Sequence, residues 1–68
     1  MYRVTVCYDP TEPSAVVYQG VIEKEATQDF FRHSMQSNVT AVDMFVWRAD
    51  NAGKKAKWMT ARIYKKYR

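Results

Sequence analysis

The sequence predicts an α+β fold, a single ββαββ domain in which a four-stranded antiparallel sheet carries one helix packed on one face. Three observations lead there. Four stretches are rich in alternating, β-branched or aromatic residues. One stretch repeats apolar residues at helical spacing. A loop containing Asn and Gly joins the last two strands as a hairpin. With 68 residues, the chain has room for one domain, 1–68, and a single layer of helix.

The first strand is residues 2–8. Tyr2, Val4, Val6 and Tyr8 fall on one face, and Arg3, Thr5 and Cys7 on the other. Asp9-Pro10-Thr11-Glu12-Pro13-Ser14 is turn chemistry. The second strand is residues 15–23, paired with the first as a hairpin. Both of its faces carry apolar residues, so its register is open. Gly20 marks either a bulge or a close approach of the helix.

The helix is expected over residues 27–37. Thr27 is the N-cap, and Asp29 sits in the first turn, where the helix dipole favours an acid. Phe30, Phe31, Ser34 and Met35 form the buried stripe, while Gln28, Asp29, Arg32, His33 and Gln36 face water. Ser37 and Asn38 end it.

Residues 40–49 and 56–66 form the second hairpin, closed by residues 50–55. A register in which opposed numbers sum to 105 puts Val42 against Ile63, Met44 against Ala61 and Val46 against Met59 on one face. The other face then holds an Asp43–Arg62 ion pair, Phe45 against Thr60, and a Trp47–Trp58 pair. The expected core is Val4, Val6, Phe30, Phe31, Met35, Val42, Met44, Val46, Met59 and Ile63.

Charge follows the chain unevenly. Residues 1–50 carry four cations against seven acids, a balance of −3, and residues 51–68 carry seven cations and no acid, a balance of +7. Such asymmetry points to a polyanionic partner, or else to a solvated basic segment that keeps a small domain soluble. The single cysteine, Cys7, cannot pair within the chain, which favours a reducing, cytoplasmic location. The start is not that of a signal peptide, and no apolar run is long enough to span a membrane.

Catalytic and metal chemistry find little to use. One His and one Cys cannot build a four-ligand zinc site, so no metal or cofactor is expected. Gly20 and Gly53 alone make no phosphate-binding loop. Glu23 and Glu25 look solvated, His33 sits on the outer side of the helix, and Cys7 behaves as a small apolar residue. The expected protein is not an enzyme.

The functional expectation comes from the sheet face that the helix does not cover. In the sum-105 register it carries Asp43, Phe45, Trp47, Trp58, Thr60, Arg62, Tyr64 and Lys66. Large aromatics beside cations are unusual on a solvent face. They can stabilise the hairpin, form a protein interface or stack nucleic-acid bases. The leading expectation is nucleic-acid binding. Lys54, Lys55, Lys57, Arg62, Lys65, Lys66 and Arg68 would meet phosphates, and Trp47, Trp58 and Tyr64 would stack on bases. The alternative is a protein-interaction module with an acidic protein partner, such as a small phage-type inhibitor of a larger host enzyme. A homodimer through the open sheet face is a third possibility.

Overall fold

A computed structural model describes residues 1–48 and 56–66. Its elements are β1 (Tyr2–Cys7), β2 (Ala15–Gly20), α1 (Glu23–Ser34), β3 (Ala41–Arg48) and β4 (Lys57–Lys65). They form the expected ββαββ fold, with one four-stranded sheet in the order β2-β1-β3-β4. β1 is antiparallel to both of its neighbours. β2 and β3 therefore run parallel on either side of it, and α1 is the crossover between them. The loop predicted over 50–55 lies outside the described residues.

The alternation of β1 is used as the sequence predicts. Val4 and Val6 are fully buried under the helix, while Arg3, Thr5 and Cys7 face the other way. Asp9 closes the β1–β2 turn. Its carboxylate accepts from the Thr11 amide at 3.0 Å and from the Thr11 hydroxyl at 2.9 Å, and Glu12 N–H donates to Asp9 O. Those two Thr11 donors, the amide first, hold the Asp9 carboxyl below the usual carboxylate range.

β2 is shorter than predicted, ending at Gly20, and its register is resolved by a bulge. Val4 pairs with Tyr18 and Thr5 with Val16, so Val17 is the extra residue. The bulge lets Val17 and Tyr18, adjacent in sequence, both pack against the core. Gly20 is not the bulge. A Cβ there would come within 2.6 Å of the Tyr18 hydroxyl, so its bareness leaves room for that ring.

The helix corrects the sequence reading. It starts at Glu23, four residues before the predicted Thr27 cap, and ends at Ser34. Glu23-Lys24-Glu25-Ala26 are good helix formers, and two acids in the first turn suit the positive end of the dipole. Ile22 holds the N-cap position with no side-chain bond. Instead, two tyrosines of the sheet engage the first turn. Tyr2 Oη donates to Glu23 Oε2 at 2.7 Å. Tyr18 Oη lies 3.2 Å from Glu25 Oε1 and 3.3 Å from Ile22 O, so one proton serves two acceptors.

The earlier start changes which residues face inward. The buried stripe is Ala26 and Phe30, one turn apart, with Thr27, Asp29, His33 and Ser34 half-buried beside it. Phe31 lies about 100° round the helix from Phe30 and is 49% exposed. Met35, at the C-cap, is 82% exposed. Asp29 and His33, predicted to face water, pack together instead: His33 Nδ1 lies 2.8 Å from Asp29 O and 3.4 Å from Asp29 Oδ2.

The core is Val4, Val6, Ala26, Phe30, Val39, Val42 and Met44, edged by Tyr2, Val17, Tyr18 and Tyr64. Five of the predicted core residues belong to it. Phe31, Met35, Met59 and Ile63 do not, and Val46 is half-buried. Ala26 and Val39 were not expected there.

The second hairpin holds the predicted register only near its tip. Phe45–Thr60, Val46–Met59 and Trp47–Trp58 pair as predicted. Between Met44 and Phe45 the register shifts, and Ala61 is the extra residue of β4. Beyond it Met44 pairs with Arg62, Asp43 with Ile63 and Val42 with Tyr64. One added residue turns the rest of the strand over, because side chains alternate with period two. The Asp43–Arg62 pair predicted from sequence is therefore absent.

Candidate nucleic-acid interface

The bulge at Ala61 divides the predicted surface in two. The open sheet face carries Arg3 and Thr5 from β1, Asp43, Phe45 and Trp47 from β3, and Trp58, Thr60, Ile63 and Lys65 from β4. This assignment follows from alternation against the buried Val4, Val42 and Met44 and from the strand pairings. On the helix side lie Arg48, Lys57, Met59, Arg62, Tyr64 and Lys66. Of the predicted site residues, Trp47, Trp58 and Lys65 share the open face. Lys57, Arg62, Tyr64 and Lys66 do not. Lys54, Lys55 and Arg68 lie outside the described residues.

The open face is organised around Trp58. Its ring meets that of Trp47 edge-on, with centroids 5.1 Å apart and an interplanar angle of 69°. The Arg3 guanidinium lies over the Trp58 ring, Cζ 4.1 Å from the centroid. Arg3 Nε donates to Gln19 Oε1 at 3.0 Å, and Gln19, paired with Arg3 on the neighbouring strand β2, holds the guanidinium in place on the same face. A cation over indole contributes about 0.5–1 kcal/mol at an exposed site, and an edge-to-face aromatic pair about 0.5–1.5 kcal/mol. Trp47 keeps 44% of its surface in water, and Phe45 is half-buried beside it.

Sequence reasoning missed Arg3 and Gln19. Arg3 was visible on the polar side of β1, but its place beside the tryptophans depends on β1 pairing with β3, where Arg3 faces Phe45. That pairing joins strands far apart in the chain and leaves no local signature.

The acids lie elsewhere. Asp9 and Glu12 are in the β1–β2 turn, and Glu23, Glu25 and Asp29 are on the helix. Among the described acids only Asp43 shares the open face.

The helix side is a different surface. Tyr2, Glu23, Thr27, Met44, Val46, Arg48, Ala61 and Arg62 line an open depression of about 210 Å³ between α1 and β4. Arg62 reaches over Phe31, with Cζ 5.5 Å from the ring centroid. Tyr64 packs against the edge of the core, and Lys66 Nζ donates to Gln36 O.

The phenols that engage the helix titrate with the fold. The Tyr2 hydroxyl is raised above 10.0 chiefly by its bond to Glu23. That of Tyr18 is raised above 10.0 chiefly by burial, then by Glu25. A folded-state value above the unfolded one means that the contribution is fully present below pH 10.0 and is lost as pH rises through the folded-state value. Urea midpoints measured from about pH 9 to pH 12 should fall less steeply for the Tyr2→Phe, Tyr18→Phe double variant than for the wild type. Identical slopes would remove these two groups from the alkaline transition.

Among the described residues, no group of three or more His, Cys, Asp or Glu side chains could hold a metal ion. No described helix is long and apolar enough to cross a membrane. No family model matches the chain, and no curated protein or solved structure matches it either.

Proposed function

We propose that this protein is a small non-enzymatic binding domain that takes single-stranded nucleic acid on its open sheet face. The observation that carries this reading is the cluster of Phe45, Trp47 and Trp58 with the Arg3 guanidinium 4.1 Å over the Trp58 ring. Rings on an open sheet face give bases a surface on which to stack, worth about 1–3 kcal/mol per base. Of these three aromatic residues Trp47 is the most exposed. Arg3 lies beside these rings, and a guanidinium forms charge-assisted bonds to phosphate oxygens.

The electrostatics agree with that partner. Lys65 shares the face, and the segment joining Trp47 to Trp58 contains Lys54 and Lys55. Apart from Asp43, the described acids are on the helix or in the β1–β2 turn, away from an approaching polyanion. Each phosphate neutralised releases condensed counterions, so binding should weaken steeply with salt.

Fluorescence anisotropy with labelled single-stranded DNA and RNA oligonucleotides tests the reading, with intrinsic tryptophan quenching as a second readout. Trp47→Ala should weaken binding by about 5- to 150-fold, the equivalent of one stacked base. Arg3→Gln should lower both the affinity and the salt slope. An absence of binding to single strands at low salt would end this proposal.

A further inference from the structure

One residue of the open face breaks the rules that the rest of the sheet obeys. Asp43 lies inside β3, which has β1 on one side and β4 on the other. Asp is among the residues least suited to a strand. A carboxylate on a face that receives phosphates also repels them. Breaks of local rules gather at functional sites.

The sheet supplies no partner that would explain this acid. The row through it is Val16, Thr5, Asp43 and Ile63, without a cation. The bulge at Ala61 has sent Arg62, the partner expected from sequence, to the helix side. Arg3 and Lys65 stand one row away, on either side. Arg3 is taken up by Gln19 and the Trp58 ring. Among the described residues, no ion pair engages the half-buried Asp43.

Position limits what Asp43 can meet. Phe45 is two residues along the same face, roughly 7 Å away at the rise of a strand. A base resting against Phe45 has its edge within reach of the carboxylate. A carboxylate accepts hydrogen bonds and cannot donate them. Guanine is the one standard base whose pairing edge shows two donors side by side, N1–H and N2–H. Adenine and cytosine show one donor beside an acceptor, and thymine or uracil one donor between two acceptors. We infer, resting on the reading of the open face as a single-strand site, that Asp43 selects guanine, its two oxygens accepting N1–H and N2–H. The acid that opposes phosphate binding thereby gives the face its sequence preference.

The test is fluorescence anisotropy with oligothymidylates of about seven nucleotides, alike except that the central base is guanine, hypoxanthine, adenine, cytosine or thymine. A single guanine in each strand avoids association between strands. Guanine should bind about 5- to 150-fold more tightly than thymine, the worth of one bidentate contact. Hypoxanthine keeps N1–H and lacks the 2-amino group, and it should fall between them. Asp43→Asn puts a donor where an acceptor stood. It should abolish the guanine preference and bind the all-thymine strand at least as well as the wild type, since a negative charge is removed. Thermal melting verifies that the variant is folded, and the base series on the wild-type chain needs no variant.

Equal affinity for all the central bases, with Trp47→Ala still weakening each, would leave the stacking surface in place and overturn the role of Asp43. A guanine preference that survives Asp43→Asn, or that hypoxanthine keeps in full, would overturn it too. No binding of any strand at low salt would remove the open-face reading itself, and this inference with it.

Discussion

Phe30→Ala should leave the domain largely unfolded in water. Phe30 is 4% exposed and, among the described residues, is the one aromatic side chain buried in the core. Truncating a buried phenylalanine costs about 3–5 kcal/mol, through lost transfer energy and the cavity left behind. A chain of 68 residues has a total stability of about 3–10 kcal/mol at the usual per-residue values. The loss is therefore comparable with the whole. The neighbouring Phe31→Ala should cost no more than about 1 kcal/mol, since half of that ring is already in water. Urea unfolding followed by circular dichroism separates the two. Equal losses would mean that the inward stripe of α1 is wrongly placed.

Deleting Ala61 should straighten β4 and leave its pairings in place. With Thr60 joined directly to Arg62, Met44 still opposes Arg62, Asp43 opposes Ile63 and Val42 opposes Tyr64, and alternation keeps each side chain on its present face. Tyr64 should therefore stay packed at the margin of the core. Nuclear Overhauser contacts between the Val42 methyls and the Tyr64 ring would report this. Ala61 is exposed, so its loss should shift stability by no more than about 1 kcal/mol. Contacts between the Val42 and Ile63 methyls instead would show that the register is set by something other than the bulge.

These two residues also mark what the sequence could and could not reveal. Alternation in β1 placed Val4 and Val6 inside, and the Trp47–Trp58 pairing followed from matching apolar faces across the hairpin tip. Those signals are local or depend on a short turn. The register argument failed at Ala61 because it assumed a constant sum along the strand, and an alanine between Thr60 and Arg62 carries no sign of being extra. The helix start failed for a similar reason. Its first turn is engaged by Tyr2 and Tyr18 through Glu23 and Glu25, contacts between elements that a search for capping residues does not see. Choosing Thr27 as the cap rotated the expected stripe toward Phe31 and Met35 and away from Ala26. The candidate site was legible in its tryptophans and invisible in its arginine, because Arg3 joins it only through the β1–β3 pairing.

Both outer strands of the sheet carry a bulge, at Val17 in β2 and at Ala61 in β4. An outer strand exposes a row of unsatisfied amides and carbonyls, which another copy of the chain can use as a template. A bulge interrupts that row and twists it away from a flat approach. The lysines and arginine of β4 add repulsion between like edges. A sheet with broad aromatic and apolar surface is thereby kept from growing sideways into ladders and fibres. The irregularity that confounds the register thus protects the protein at high concentration, while its faces stay open to other molecules.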